Sequence, residues 1–381
     1  MIPLSEKIEE HIKELEERLA STVPNKHTQR SINYLRASIA QCRNDLVRIA
    51  SSKKGGGVGF GTKKTGDATC AFIGWPSVGK SSLLNLLTGG TTHSKIAAYD
   101  FTTISAIPGM MDIEQAKIQL IDLPGIILGA AVGKGRGKEV LAAARAADLV
   151  LIILSFREDG SIRFEDLATI RKELSDAGIR LNQAPRRITV TPRERGGIGW
   201  VPHGEQIMDK EEVKFLANDL GIKHAAVYFH DPNITPDQFI DHVMGNRVYI
   251  REFVIINKSD LMKTPIPTKE ITAKIGHNRW VMVSALKVDN IDMLRHKIFQ
   301  ELNLIRIFLK PPTGEADLEH PLILHEGDTL ETLCRKIHKQ FVDSFRYALI
   351  WGTSAKHAGQ KFSTLDHVIE DGDIISIYLR R

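Results

Sequence analysis

The spacing of apolar residues divides the chain into segments with different periods. Near the start, apolar residues recur every three or four positions in two runs separated at Pro24 and Asn25, which is the period of one helix face. The runs are Leu4, Ile8, Ile12, Leu15 and Leu19, then Ile32, Leu35, Ile39, Cys42, Leu46 and Ile49. We predict a helical hairpin over residues 1–52 whose stripes pack on each other and on the next domain. A hairpin that binds a partner is the alternative.

Short apolar runs then alternate with helical patterns from Cys70 to about Phe156, which predicts an α/β fold with a parallel sheet and crossover helices. The runs are Cys70–Ile73, Ile118–Ile121 and Leu149–Leu154, and two more follow at Phe253–Ile256 and Trp280–Val283. Because a simple crossover takes about 30 residues, the long gap between Leu154 and Phe253 contains an inserted domain. We therefore divide this region into a nucleotide-binding domain (68–178 and 249–304) and an insert (179–248), preceded by a Gly/Lys-rich linker (53–67).

The insert is predicted to be a small α+β module. It alternates apolar and polar residues over 188–191, and a helix at Val213–Leu220 precedes a strand at Ala225–Phe229. Four arginines give it a basic edge, interpreted as a solvated face with a binding site as the alternative: Arg186, Arg187, Arg193 and Arg195.

The tail, 305–381, opens with Pro311-Pro312 and shows a helix at Leu330–Phe341 among short apolar runs. These runs are Leu322–Leu324, Ala348–Trp351 and Ile374–Leu379. A helix laid across a small mixed sheet, as in a ubiquitin-like β-grasp, fits this order.

Composition adds little to this picture. The chain has 381 residues, of which 25% are charged and 42% hydrophobic, with a net charge of +5, so it is typical of a globular protein. No apolar run is long enough to span a bilayer, and residues 1–20 carry alternating charge and no secretory apolar block, so we expect a cytoplasmic protein. Cys42, Cys70 and Cys334 lie far apart and predict neither a zinc site nor a disulfide framework.

A glycine-bounded loop, Gly-Trp-Pro-Ser-Val-Gly-Lys-Ser at 74–81, lies between an apolar strand and a helical pattern. That context is typical of a phosphate-binding loop, in which backbone N–H groups at a helix start face anionic oxygens. Lys80 is expected to reach the terminal phosphates and Ser81 to hold Mg²⁺. The predicted nucleotide-binding residues of this loop are Gly74, Pro76, Ser77, Val78, Gly79, Lys80, Ser81 and Ser82.

Two later motifs identify the base as guanine. Asp260, in Asn-Lys-Ser-Asp at 257–260, can accept both N–H donors on the Watson–Crick edge of guanine, a donor pair that adenine lacks. The motif at 284–286 fits a loop that closes over the base. Both motifs follow the carboxyl end of a strand, where open α/β sheets bind ligands. Their predicted nucleotide-binding residues are Asn257, Lys258, Asp260, Ser284, Ala285 and Leu286.

Hydrolysis would depend on two further segments. Asp122 ends an apolar strand, so its carboxylate would act on the metal through water, and the N–H of Gly125 would meet a γ-phosphate. Thr103 would complete the magnesium shell, although spacing alone does not separate it from Thr102. Ile126 is aliphatic and cannot orient water, so unaided turnover should be slow. The expected catalytic residues are Lys80, Thr103 and Gly125, and the expected metal residues are Ser81, Thr103 and Asp122.

With these motifs the chain resembles the DRG family of developmentally regulated GTP-binding proteins, in the Obg-HflX group. The resemblance covers essentially the whole chain. The segments that carry it are 76–81, 99–103, 122–127 and 133–137, and those that resemble a TGS domain are 336–339, 347–352 and 365–368. The insert resembles a ribosomal-protein-like domain.

The resemblance implies a P-loop GTPase domain and a Mg²⁺-dependent, GTP-hydrolysing switch that acts on ribosomes or RNA, often with a protein regulator and without a membrane. It favours Thr103 as the switch threonine. Two positions depart from it: Leu128 stands where the family usually has an acidic residue, and Ser77 stands where potassium-activated relatives often have Asn. A K⁺ requirement is therefore left open.

Two rival functions remain from the sequence. One is a scaffold that holds GTP and scarcely hydrolyses it, which Ile126 and Leu128 keep open. The other is an ATP-dependent phosphotransferase, which the phosphate-binding loop alone would permit.

Overall fold

The structure is a computed structural model that describes residues 4–25, 27–52, 66–90, 108–123 and 143–380. In this part of the chain the helices are α1 (Leu4–Ser21), α2 (Gln29–Ser52), α3 (Lys80–Leu87), α4 (Phe164–Asp176), α5 (Lys210–Asp219), α6 (Pro236–Met244), α7 (Thr268–Ile275), α8 (Ile291–Glu301), α9 (Leu330–Ile337) and α10 (Lys339–Asp343). The strands are β1 (Ala68–Ile73), β2 (Pro108–Ile113), β3 (Ala116–Asp122), β4 (Leu149–Ser155), β5 (Ile179–Leu181), β6 (Ile188–Pro192), β7 (Ile198–Val201), β8 (Ala225–Phe229), β9 (Val248–Asn257), β10 (Trp280–Met282), β11 (Leu304–Leu309), β12 (Leu322–His325), β13 (Phe345–Trp351), β14 (Gln360–Phe362) and β15 (Ile374–Leu379).

The described residues form two compact units. One contains residues 4–52 and 172–250, and the other contains 66–90, 108–123, 143–171 and 251–380. The predicted switch residues Thr103 and Gly125 lie outside the described residues, as do Ile126, Leu128 and most of the Gly/Lys-rich linker.

The second unit contains the main sheet, with strand order β10-β9-β4-β1-β3-β2. Its strands are parallel except β2, which pairs antiparallel with β3. Every residue of β1 is buried, as expected for a parallel strand with both faces covered. The α/β class predicted from alternating strands and helices is confirmed. Because β1, β3, β9 and β10 all end at one edge, the predicted motifs meet there.

The same unit contains a smaller mixed sheet with the order β12-β11-β15-β13-β14. Helix α9 contributes Leu330, Leu333 and Cys334 to the core beneath it, which confirms the β-grasp. The single helix predicted over 330–341 is two helices. His338 is extended (φ −165°, ψ 139°), and its Nδ1 accepts a hydrogen bond from the Gln340 amide, so it ends α9 and caps α10.

The first unit joins the helical hairpin to the insert. Ile12 and Leu15 of α1 pack against Leu35, Ile39 and Leu46 of α2. Three strands of the insert form a sheet with the order β6-β8-β7, in which β8 is antiparallel to β6 and parallel to β7. The short strand β5 does not join this sheet and pairs parallel with the start of β9.

One core joins the hairpin to this sheet. Ala37 and Ala40 of α2 belong to the same buried cluster as Val213 of α5 and Phe239 of α6. The two helices therefore pack on each other, as the first interpretation predicts, but the second face of α2 packs on the insert, which is not the next domain in sequence.

Candidate nucleotide-binding site

The loop between β1 and α3 has a backbone that favours glycine. Gly79 has φ 93° and a Cβ there would overlap the Asn257 side-chain amide, while a Cβ on Gly74 would lie 2.6 Å from the carbonyl oxygen of Ile153. Ser77 also has a positive φ, 65°. Helix α3 begins at Lys80, so its first N–H groups face the loop, as an anion site requires.

Lys80 is folded onto this loop. Its Nζ donates to the carbonyl oxygens of Gly74 and Trp75 at 2.9 and 3.0 Å, and the residue is 9% exposed. Burial lowers the pKa of the Lys80 ammonium, and the nearby Asp122 carboxylate partly opposes that effect.

A hydroxyl and a carboxylate meet beside the loop. Ser81 Oγ donates to Asp122 Oδ2 at 2.9 Å, which brings the start of α3 to the end of β3. The other oxygen, Asp122 Oδ1, is buried and has no hydrogen-bond partner among the described residues. Hard oxygen donors of this kind suit Mg²⁺, and a buried carboxylate oxygen without a partner fits a cation or its bound water.

Asn257 joins the phosphate-binding loop to the loop after β10. The residue is 1% exposed. Its Nδ2 donates to the Val78 carbonyl oxygen at 2.9 Å, and its Oδ1 accepts from the Ala285 amide at 3.1 Å. One side chain therefore fixes the distance between the two loops predicted to hold phosphates and base.

The predicted base loop is held by side-chain and backbone bonds. Lys258 has a left-handed backbone (φ 61°) and leads into a single 3₁₀ turn, Ser259–Leu261. Ser284 Oγ donates to Asp260 Oδ1 and accepts from the Lys287 amide. Asp260 Oδ2 has no hydrogen-bond partner in the described part of the chain, so it is available as an acceptor. Leu286 is 82% exposed.

The predicted residues that the structure describes thus gather at one edge of the main sheet. Sequence reasoning missed Trp75, whose side chain packs against the central core, and the Lys287 amide that orients Ser284. Trp75 lies inside the loop motif, and its large apolar side chain could have predicted that it packs against the core. A backbone contact such as that of Lys287 leaves no signal in residue type.

Other site types find no support in the described residues. They contain no group of three or more His, Cys, Asp or Glu side chains able to hold a metal ion. No helix among them is long and apolar enough to cross a membrane.

Three family profiles match the chain in sequence order. Residues 69–191 match a family described as "50S ribosome-binding GTPase" and residues 195–304 match the C-terminal region of that domain. Residues 305–379 match the TGS domain. The chain therefore contains a P-loop GTPase domain and a TGS domain.

Full-length relatives agree with the profiles. An uncharacterized GTP-binding protein of Methanocaldococcus jannaschii is 44% identical over 98% of this chain and 93% of its own length. The developmentally-regulated GTP-binding protein 1 of Xenopus laevis is 41% identical over 96% of this chain and 97% of its own length. The Dictyostelium discoideum homologue of that protein is 40% identical over 96% of this chain and 98% of its own length. The chain belongs to the family of developmentally regulated GTP-binding proteins.

Proposed function

We propose that this GTP-binding protein is a GTP-hydrolysing switch that acts on ribosomes or RNA in the cytoplasm. The observation that carries the proposal is the Asn257 bridge, because it joins a phosphate-binding loop to a base loop in which Asp260 keeps an acceptor oxygen available. A site with these two ends fits a guanine nucleotide. The description of the matching family supports the ribosome as partner.

In this mechanism Lys80 leaves the loop carbonyls for the β- and γ-phosphates and offsets their charge. Ser81 and Asp122 would hold Mg²⁺, which adds positive charge at the phosphates when bound. Thr103 and Gly125 remain the proposed switch residues, with Thr103 also on the metal. Loss of the γ-phosphate releases both, and partner affinity changes by the difference in contacts between the two states.

We also propose that hydrolysis by the protein alone is slow. Ile126 offers no group to orient the attacking water, so a partner, a backbone group or a bound K⁺ must supply one. The proposed domain division remains the hairpin (1–52), linker (53–67), GTPase domain (68–178 and 249–304), insert (179–248) and TGS domain (305–381).

Multiple-turnover phosphate release tests the enzyme claim. The protein is incubated with GTP, with and without ribosomes, in sodium and in potassium buffers. We expect slow release alone and faster release with ribosomes. If no phosphate is released under any condition, the protein is not a GTPase, and the alternative of a GTP-binding scaffold is favoured.

Ribosome co-sedimentation tests the switch separately. Pelleting is compared with GTP, GDP and a non-hydrolysable GTP analogue. We expect the analogue to retain more protein in the ribosome pellet than GDP does. Equal pelleting with GTP, GDP and the analogue would contradict ribosome binding that depends on the bound nucleotide.

A further inference from the structure

The sheet of the insert has one covered face and one open face. Ile188, Ile198, Val227 and Phe229 point into the core shared with α5 and α6. Because side chains alternate along a strand, the residues between them point the other way. This second face carries Thr189, Thr191, Gly199, Val201, Ala226 and Tyr228. The threonines and Val201 are exposed and make it the open face, whereas Ala226 is buried within it at 3% exposed.

The open face combines an aromatic side chain with small and polar neighbours. Tyr228 lies between Thr189 on β6 and Val201 on β7, and Val201 is 50% exposed. Its ring lies nearly parallel to that of His230, with centroids 6.4 Å apart and an interplanar angle of 11°. His230 is itself exposed. A planar ring on an exposed sheet is the platform on which unpaired bases stack.

Arginines lie at both ends of β6. Arg187 is next to one end and Arg193 follows the other, about 20 Å apart at ~3.3 Å per residue. Arg187 is paired with Asp231. Arg186 is close enough to the same carboxylate for its charge to help lower the pKa of Asp231. Arg193 and Arg195 form no ion pair among the described residues, although the exposed Glu194 lies between them in sequence.

Gly199 lets one of these arginines lie across the sheet. A Cβ on Gly199 would be 3.3 Å from Arg193 Nη1, so the guanidinium rests close to the backbone of β7. Guanidinium groups bind phosphates and also stack on bases. The arrangement therefore complements a polyanion with unstacked bases.

We propose that this open face binds single-stranded RNA, with Arg193 and Arg195 on phosphates and Tyr228 stacked on a base. The inference rests on the proposed function, since it assigns the RNA-contacting surface of a GTPase that works on ribosomes or RNA.

Fluorescence anisotropy tests this surface with the full chain and a fluorescein-labelled 12-nucleotide RNA of mixed, unpaired sequence. Arg193→Ala with Arg195→Ala should weaken binding at least tenfold and reduce the slope of log K against log salt by about 1.4. The matched control is Lys210→Ala with Lys214→Ala, which removes two charges from exposed positions of α5 in the same module. This control should bind RNA as the wild type does.

Tyr228 variants separate stacking from charge. Tyr228→Leu should weaken binding about fivefold or more, whereas Tyr228→Phe keeps the ring and should stay within about twofold of wild type. Hydrogen exchange of β8 and α5 checks that the insert is folded in every variant. Wild-type RNA affinity in the arginine or leucine variants, or an equal loss in the lysine control, would overturn the proposal.

Failure of this surface is distinguishable from failure of the proposed function. If the protein binds RNA as predicted but releases no phosphate under any condition, the proposed GTPase switch is wrong and the proposed RNA-binding surface stands. If ribosomes stimulate phosphate release but this face binds no RNA, only the proposed RNA-binding surface is wrong.

Discussion

At the scale of single residues, Asn257 connects the two loops of the candidate site. It donates to Val78 and accepts from Ala285 while almost fully buried. Removing it leaves a carbonyl and an amide without their partner, and an unmade buried bond costs about 1–3 kcal/mol for each group. Loss of Asn257 should therefore disturb both the phosphate-binding loop and the loop predicted to close over the base.

Asn257→Ala should weaken binding of a fluorescent GDP analogue by at least about tenfold, because the two loops lose their common anchor. Titration of the analogue measures the change, and thermal unfolding shows whether the fold survives. Asn290→Gly is the control, since Asn290 has φ 59°, which glycine adopts freely, and its side chain donates to the Met282 carbonyl oxygen at 3.1 Å and to nothing else among the described residues. Unchanged GDP affinity in Asn257→Ala would show that this link is dispensable.

At the scale of elements, β9 contains a buried charge where its apolar pattern is interrupted. Glu252 is 1% exposed and bonds the Arg171 guanidinium on α4 and His277 Nε2 after α7. Burial raises the pKa of this carboxyl, but the bonds from His277 and Arg171 lower it more, and the net shift is downward. These bonds tie α4 and the end of α7 to β9.

Glu252→Gln should reduce the free energy of unfolding by about 1–3 kcal/mol, because the charge-assisted bonds to Arg171 and His277 are lost. The loss stays at this level because Arg171 is 32% exposed and can be solvated without its partner. Denaturant unfolding at neutral pH measures this loss. Glu301→Gln, whose carboxylate is 4.0 Å from Arg279, is the control and should change little.

The same comparison has a pH dependence. A carboxyl whose pKa is lowered on folding stabilises the protein above its unfolded pKa and loses that effect as pH falls through the folded value. The stability gap between wild type and Glu252→Gln should therefore shrink in acid. A gap that widens in acid would contradict this assignment.

Helix α2 has two buried faces, one toward α1 and one toward the insert. Ala37→Glu, at a position 1% exposed against the insert, should loosen the module because a carboxylate enters its core. Hydrogen exchange of α5 and α6 should accelerate. Tyr34→Glu, at a position 51% exposed on the same helix, is the control. Unchanged exchange in Ala37→Glu would favour a hairpin that is free to bind a partner.

The sequence predicted the elements whose signal is local and missed those that depend on distant partners. The run Leu149–Leu154 became β4 almost residue for residue, but β9 begins at Val248, earlier than Phe253. Glu252 interrupts that run and is tolerated in a strand only because Arg171 and His277 pair with it.

The candidate site shows the same limit. Residue types placed Asn257 at a nucleotide, but its bond to Val78 joins positions 179 residues apart and has no local signal. Strand β11 was not predicted, because the domain boundary expected at about Ile305 falls inside its apolar run, Leu304–Leu309.

At the scale of the whole molecule, one unit contains the candidate nucleotide-binding site and the TGS domain, and the other contains the hairpin and most of the insert. In the proposed function the GTPase domain reads the nucleotide while the insert and the TGS domain meet the partner. All of this depends on the base being guanine, which Asp260 is proposed to recognise.

Asp260→Asn tests that claim most directly. Competition titrations compare the affinities of the wild type and the variant for GDP and XDP, whose base has an oxygen where guanine has the exocyclic amino group. An amide can donate to that oxygen, whereas the carboxylate accepts from the guanine amino group. We predict that the wild type prefers GDP and that Asp260→Asn shifts the preference toward XDP. A variant that keeps the wild-type preference for GDP would contradict the account.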